Sequence, residues 1–327
     1  MGCVCSRPPP PQSLKTPLEL ELELDDDYAG LTLSRRRSLD VVWHDALEAF
    51  KGSKPSSKIH PHWECAREHI PQWLRVRGAE YLQDKVKIPA ETRALCELKH
   101  VDLFDFGGEA NDDARVDVAS TRSESWLMRQ WAEEKRKDSE SDGGVPWTFV
   151  WHFLNPDGAS IVCYFQPVVG ESEGEKPPLR TAEDVVRWVE RESSVENQNQ
   201  GFANTLRRFF VEGDDSYKRE RIKLGLQLHK ASFVLRKVTP NERPVLVGKR
   251  AETRFFSGER YFEVDLICGS NKVAKYLYSS FSALSAKSEE DIALWIEGAL
   301  EDELPERPLA AVRLRRISPK VLRKIII

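Results

Sequence analysis

A chain of 327 residues that is 40% hydrophobic and 31% charged is long enough for one large domain, or two small ones, with a buried core. No apolar run reaches the ~18 residues that a membrane-spanning helix needs. Six cysteines without framework spacing, and the lack of a secretory leader, point to a cytosol-facing protein in a reducing compartment. The net charge of -4 conceals a segregation: residues 201–260 carry 14 Lys+Arg against 7 Asp+Glu, residues 261–306 carry 3 against 10, and residues 307–327 carry 7 basic residues and no acid. Either the basic blocks meet a partner surface of negative sign, or blocks of opposite sign face each other inside the fold.

Met1-Gly2-Cys3-Val4-Cys5-Ser6 has the N-myristoylation pattern, in which loss of Met1 exposes the Gly2 amine and Ser6 completes recognition. One myristoyl chain holds a protein only marginally, so Cys3 and Cys5, as palmitoylation acceptors, are expected to supply the second anchor. Only Arg7 and Lys15 precede the acidic run, and the prolines at 8–11 make a stiff spacer. Residues 1–37 are therefore expected to form a disordered membrane-anchor arm. Arg35-Arg36-Arg37-Ser38 has the form of a basophilic kinase site, and Ser38 also suits the N-cap of an amphipathic helix that carries Leu39, Val42, Trp43, Ala46, Leu47 and Phe50 on one face. Residues 38–57 are assigned to this helix and the boundary, and residues 58–318 to the main domain.

His60, His62, Cys65 and His69 have metal-ligand chemistry, with Cys65 and His69 sharing a helix face, but structural zinc needs a paired second half and none follows. Residues 74–82 and 86–88 read as strands that put Arg75, Arg77, Lys85 and Lys87 on one surface. Asp102 and Asp105 read as a salt-bridge or turn feature rather than a catalytic pair. A helix is expected around Trp126 and Trp131 and another over residues 182–191. Residues 147–154 and 161–169 bracket Asn155-Pro156-Asp157-Gly158, a strong hairpin signal, and their apolar character on both faces predicts a central strand pair. Lys218, Arg219, Arg221 and Lys223 fall in a single helical or turn segment over residues 217–228. Residues 245–247 form a short apolar run broken by Gly248. The segment 255–267 turns at Ser257-Gly258-Glu259, and Tyr261, Glu263 and Asp265 alternate with Phe262, Val264 and Leu266 as in a strand with one wet face. A helix capped by Ser270 or Asn271 and a strand over 292–296 complete that unit. In the tail, Arg313, Arg315, Arg316, Lys320, Arg323 and Lys324 alternate with apolar residues, and Arg315-Arg316-Ile317-Ser318 repeats the kinase pattern. Residues 313–317 also read as a final strand or helix, and residues 319–327 as a basic, apolar tail.

Several separate blocks carry a resemblance. They are the run from Arg254 to Asp265, Gly269-Ser270-Asn271-Lys272-Val273-Ala274 and Glu303-Leu304-Pro305-Glu306-Arg307, preceded by Arg75-Val76-Arg77-Gly78 and Arg221-Ile222-Lys223-Leu224. In this order they resemble the C-terminal domain of the plant enhanced disease resistance 2 family over about residues 60–318. The resemblance implies membrane association and regulatory work, because larger relatives carry phosphoinositide-binding and lipid-transfer-like domains ahead of this one. Ile267 stands where relatives have a further acid, so no metal role is expected for Glu263 and Asp265.

No G-x-S-x-G elbow, P-loop, H-E-x-x-H, dinucleotide glycine pattern or kinase set is present, and no zinc-finger or RRM-type motif accompanies the basic segments. The expected fold is α+β, an antiparallel sheet flanked by helices. The expected function is a dually acylated, membrane-tethered lipid-binding or regulatory module without catalysis, cofactor, metal or nucleic-acid partner. Anionic lipid, phosphoinositide included, would meet Arg75, Arg77, Lys85, Lys87, Lys218, Arg219, Arg221, Lys223, Arg315, Arg316, Lys320, Arg323 and Lys324. A bound lipid or a protein partner is compatible with the same features, a protein-interaction adaptor is the alternative, and a cryptic hydrolase comes third.

Overall fold

The computed structural model describes residues 62–90, 93–105, 117–136, 144–156, 158–168, 179–193, 200–230, 244–270 and 288–316, all within one compact unit, Ile59–Ile327. Gly2, Cys3, Cys5, Ser38, the 38–51 helix, His60, the helix after Asn271, Ser318, Lys320, Arg323 and Lys324 lie outside the described residues.

The fold is α+β, as expected, and among the described residues its strands form two five-stranded sheets and a two-stranded ribbon. The first sheet is ordered β1 (Trp63–Cys65), β12 (Pro308–Arg315), β11 (Glu289–Ile296), β7 (Ile222–Lys230), β8 (Val245–Leu246), antiparallel throughout. The second is ordered β4 (Cys96–Asp105), β6 (Ala159–Pro167), β5 (Thr148–Leu154), β10 (Tyr261–Ile267), β9 (Glu252–Gly258). Its β5–β10 pairing is parallel, and the others are antiparallel. The ribbon pairs β2 (Arg75–Arg77) with β3 (Lys87–Pro89). Among the described residues the α-helices are α1 (Tyr81–Asp84), α2 (Val118–Thr121), α3 (Trp126–Arg136), α4 (Ala182–Ser193), α5 (Gln200–Arg207), α6 (Asp215–Arg221) and α7 (Val247–Arg250).

The β5–β6 hairpin closes where expected, with the Gly158 N–H donating to Asn155 O at 3.0 Å and Gly158 at φ 83°, a left-handed conformation that costs glycine nothing. All seven residues of β5 are buried, as a central strand requires. Phe149, Trp151 and Phe153 join Phe165, Phe262, Val264 and Leu266 in the main core, which also takes Ile292 and Leu294 of β11, Val312 of β12, Val186 of α4 and Phe202 of α5. On the opposite face of the second sheet, Val150, Val162, Tyr164 and Tyr261 pack under Val118, Ala119 and Leu127 of α2 and α3. The far face of the first sheet is covered likewise, with Ala293, Trp295 and Ala311 beneath Ala66, Ile70, Leu74 and Val76. Both sheets are thus coated with apolar residues on both faces.

Three local expectations change. Residues 74–82 are not one strand: β2 ends at Arg77, Gly78 interrupts it, and Asp84 N–H bonds Glu80 O as the chain coils into α1. Lys85, at φ 60°, leaves the strand register, so only Arg75, Arg77 and Lys87 lie on the ribbon itself. The segment 217–228 divides at Arg221, where the helix gives way to β7. Its alternation of Ile222, Leu224, Leu226 and Leu228 is the strand period, and at Gly225 a Cβ would lie 2.9 Å from the Trp295 ring, so the small residue admits that indole.

Candidate functional site

The wet face expected for β10 is dry. Glu263 and Asp265 sit two residues apart and share one side of the strand, and the parallel register sets His152 of β5 opposite Asp265. All three side chains are 0% exposed. His152 Nδ1 lies 3.1 Å from Asp265 Oδ1 and 3.8 Å from Glu263 Oε1.

A short helix roofs the group. Asp117 caps α2 by accepting the Ser120 N–H at 3.0 Å and receives the Tyr261 hydroxyl from β10. The next two N–H groups, of Val118 and Ala119, donate to Glu263 Oε1 and Oε2 at 3.1 and 2.8 Å. Asp102 of β4 fixes α3 by accepting the Trp126 N–H at 2.6 Å and Arg129 Nη2 at 3.1 Å. Carboxylates on the sheet thereby hold the helices that bury the site.

Burial dominates the electrostatics. It pushes the Asp265 carboxyl up to about 7 and holds Glu263 well above the carboxylate range, where the Asp265 charge adds to the effect. Burial also drives the His152 imidazole down to about 4, against the pull of Glu263. At neutral pH the imidazole is therefore uncharged, and two adjacent buried carboxyls retain a proton between them unless a cation replaces it. Asp265 Oδ2 is buried with no hydrogen-bond partner among the described residues. One ligand atom from each of the three residues falls within 4.8 Å of the others, a set able to hold a metal ion.

The cations singled out in the sequence do not form one surface. Lys223 Nζ lies 2.7 Å from Glu306 and 2.8 Å from Glu297, and Arg77 joins it with Nη2 at 3.1 Å from Glu297. Glu306 also accepts N–H groups from Arg77, Gly298 and the Trp295 indole. Glu303, 0% exposed, accepts from Arg208, Arg221, the Tyr217 hydroxyl and the N–H groups of Ala299 and Leu300. Lys87 lies close enough to this cluster for burial, and then the Lys223 charge, to lower its pKa. Arg315 pairs with Glu64 and Glu289. Lys218 faces Asp215 at 3.9 Å and the Phe262 ring at 5.5 Å, and Arg219 pairs with Asp215 at 3.5 Å. Arg75, Lys85 and Arg316 are exposed. The basic block at 201–260 and the acidic block at 261–306 thus meet within the fold.

The described members of the histidine and cysteine cluster, His62, Cys65 and His69, do not share one helix. Cys65 belongs to β1 rather than a helix shared with His69, its sulfur accepts the Leu98 N–H at 3.4 Å, and His62 Nδ1 lies 3.1 Å from Arg315 O. Sequence reasoning passed over His152 because it sits in an apolar run, and no signal local to β5 marks it as facing two acids.

Two doubly covered sheets, a buried histidine and carboxylate centre and an internal clasp of ion pairs define an α+β domain. The family model described as Protein ENHANCED DISEASE RESISTANCE 2, C-terminal, matches residues 67–318, and the chain belongs to that family. It is 30% identical over 271 residues to Protein ENHANCED DISEASE RESISTANCE 2-like of Arabidopsis thaliana, an alignment covering 83% of this chain and 31% of that protein. The chain therefore spans about a third of that relative's length. No solved structure matches it. Two blocks that carried the resemblance have physical roles: residues 254–265 form most of the β9–β10 hairpin, and Glu303 and Glu306 are the acceptors of the clasp.

Proposed function

We propose that this chain is a regulatory module tethered to a membrane by acyl groups on Gly2 and on Cys3 or Cys5, with its folded domain held against an anionic lipid surface. The Met1–Ser6 pattern carries the reading, since it joins a myristoylation signal to two adjacent thiols that supply the second anchor. The relative's name associates it with disease resistance, and a defence-signalling role is proposed here on that ground. On the domain, headgroup contact falls to Arg75 and Lys85 rather than to Arg77, Arg221 and Lys223, whose charges are compensated by Glu297, Glu303 and Glu306. Val86, 56% exposed beside Lys85, adds an apolar side chain at the same edge.

Fractionation of eukaryotic cells tests the anchor. Gly2→Ala should move the protein from the membrane to the soluble fraction, and unchanged membrane fractionation would refute the anchor. The double variant Cys3→Ser, Cys5→Ser should keep only weak, reversible binding, because a lone myristoyl chain associates with bilayers at about 10⁴ M⁻¹. Native mass spectrometry of the wild-type protein then separates a co-purifying lipid from a bound protein partner, the latter favouring an adaptor.

A further inference from the structure

We propose that His152, Glu263 and Asp265 form a structural site for one divalent transition-metal cation of the zinc class, buried between the second sheet and its helical roof. Four observations converge. The donors are one imidazole nitrogen and two carboxylates, a mixed nitrogen and oxygen set that suits zinc and its neighbours better than calcium or magnesium, which favour oxygen alone.

Spacing agrees. The separations of 3.1 and 3.8 Å from His152 Nδ1 to the two carboxylates straddle the ~3.4 Å expected between donors around a tetrahedral centre with ~2.1 Å bonds, and all three donor atoms fall within 4.8 Å of one another, so a modest approach of the two carboxylates completes the site. Asp265 Oδ2, buried and without a hydrogen-bond partner among the described residues, is available as a fourth donor if Asp265 binds through both oxygens.

Charge agrees as well. A neutral imidazole and two carboxylates sum to −2, which a divalent cation cancels in a site with no exposure to water. The second shell is in place too, because the Val118 and Ala119 N–H groups fix the Glu263 carboxylate and leave each of its oxygens a free lone pair. Such an ion ties β5 to β10 at the one parallel pairing of the sheet and locks the roof helix through Glu263. The complete burial of the donors makes it a structural ion rather than one that meets substrate.

The test uses the full chain, dialysed against chelator and then titrated with Zn²⁺. One high-affinity equivalent per chain is expected, with a rise in Tm of about 5–10 °C at saturation. Asp265→Asn keeps the side-chain volume and should lose that equivalent and the Tm rise together. His229→Gln, at the separate contact between His229 and Asp291, should retain both. Co²⁺ substitution gives an independent reading, with visible ligand-field absorption in the wild type that Asp265→Asn lacks. Any of three results overturns the proposal: no Zn²⁺-dependent Tm rise in the wild type, stoichiometric binding that survives Asp265→Asn, or binding abolished by His229→Gln. The first is decided on the wild type alone and does not depend on any variant folding.

Discussion

Glu306→Gln measures the clasp between the two charge blocks. Glu306 is 4% exposed and its carboxylate accepts from Lys223 Nζ at 2.7 Å, Arg77 N at 3.0 Å, Gly298 N at 3.2 Å and Trp295 Nε1 at 3.2 Å. The amide of glutamine keeps the shape but turns an NH₂ group toward donors and removes the charge opposite Lys223, itself 3% exposed. Removing one partner of a buried pair costs about 3–5 kcal/mol, and Glu297, still 2.8 Å from Lys223, keeps the expected loss near the lower end of that range. For a domain of this size that corresponds to a Tm lower by about 6–15 °C. Urea unfolding followed by tryptophan fluorescence reads the change, and Trp295 reports from the clasp itself. Lys223→Met alone should destabilise as well, because it leaves the Glu306 carboxylate with Arg77 Nε, 3.7 Å away, as its remaining cation. The double variant Glu306→Gln, Lys223→Met should recover at least about 2 kcal/mol relative to the sum of the two single variants, because neither charge is then left buried alone. A loss below about 1 kcal/mol for Glu306→Gln, or strict additivity in the cycle, would show that the contacts do not hold these elements together.

Gly201→Ala places a Cβ 1.9 Å from the Leu304 carbonyl oxygen, so α5 must back away from the clasp, and a loss of about 3 kcal/mol or more is expected. Gly78→Ala meets the Ile88 side chain, with Cδ1 at 3.0 Å and Cγ1 at 3.3 Å, and no backbone atom as near, so it should cost about 1 kcal/mol or less, which chemical denaturation of both variants will separate. Glu290, 1% exposed, has its carboxyl pushed up to about 8, first by burial and then by Asp291 and Glu289. Its contribution to stability is therefore complete below its ordinary 4.5 and is lost as pH rises through about 8. Between pH 5 and 8, Glu290→Gln should remove about 2–4 kcal/mol of pH dependence relative to the wild type, and parallel curves for the two proteins would exclude this assignment. Binding of unacylated protein to vesicles containing phosphoinositide should fall about tenfold for Arg75→Glu, Lys85→Glu and weaken steeply with salt, whereas Arg221→Gln should act on stability rather than on binding.

Much of the local structure follows from the sequence. The turn at Asn155-Pro156-Asp157-Gly158 marks the β5–β6 hairpin, and the alternation after Gly258 marks β10, because strand period and turn chemistry are written within about ten residues. The helix around Trp126 and the one at Ala182–Ser193 are readable for the same reason. Charge segregation is also visible in the sequence, but whether the blocks meet each other or a partner is not, since that depends on α6 and β7 lying beside the segment from Glu297 to Glu306. The buried centre lay beyond local reading altogether. The alternation of Glu263 and Asp265 describes an edge facing water equally well as one facing a helix, and the N–H group that decides between them belongs to Val118, 145 residues away. Only the tertiary fold brings that donor, the His152 imidazole and the two carboxyls together, because burial of a polar side chain is set by whichever distant segment covers it.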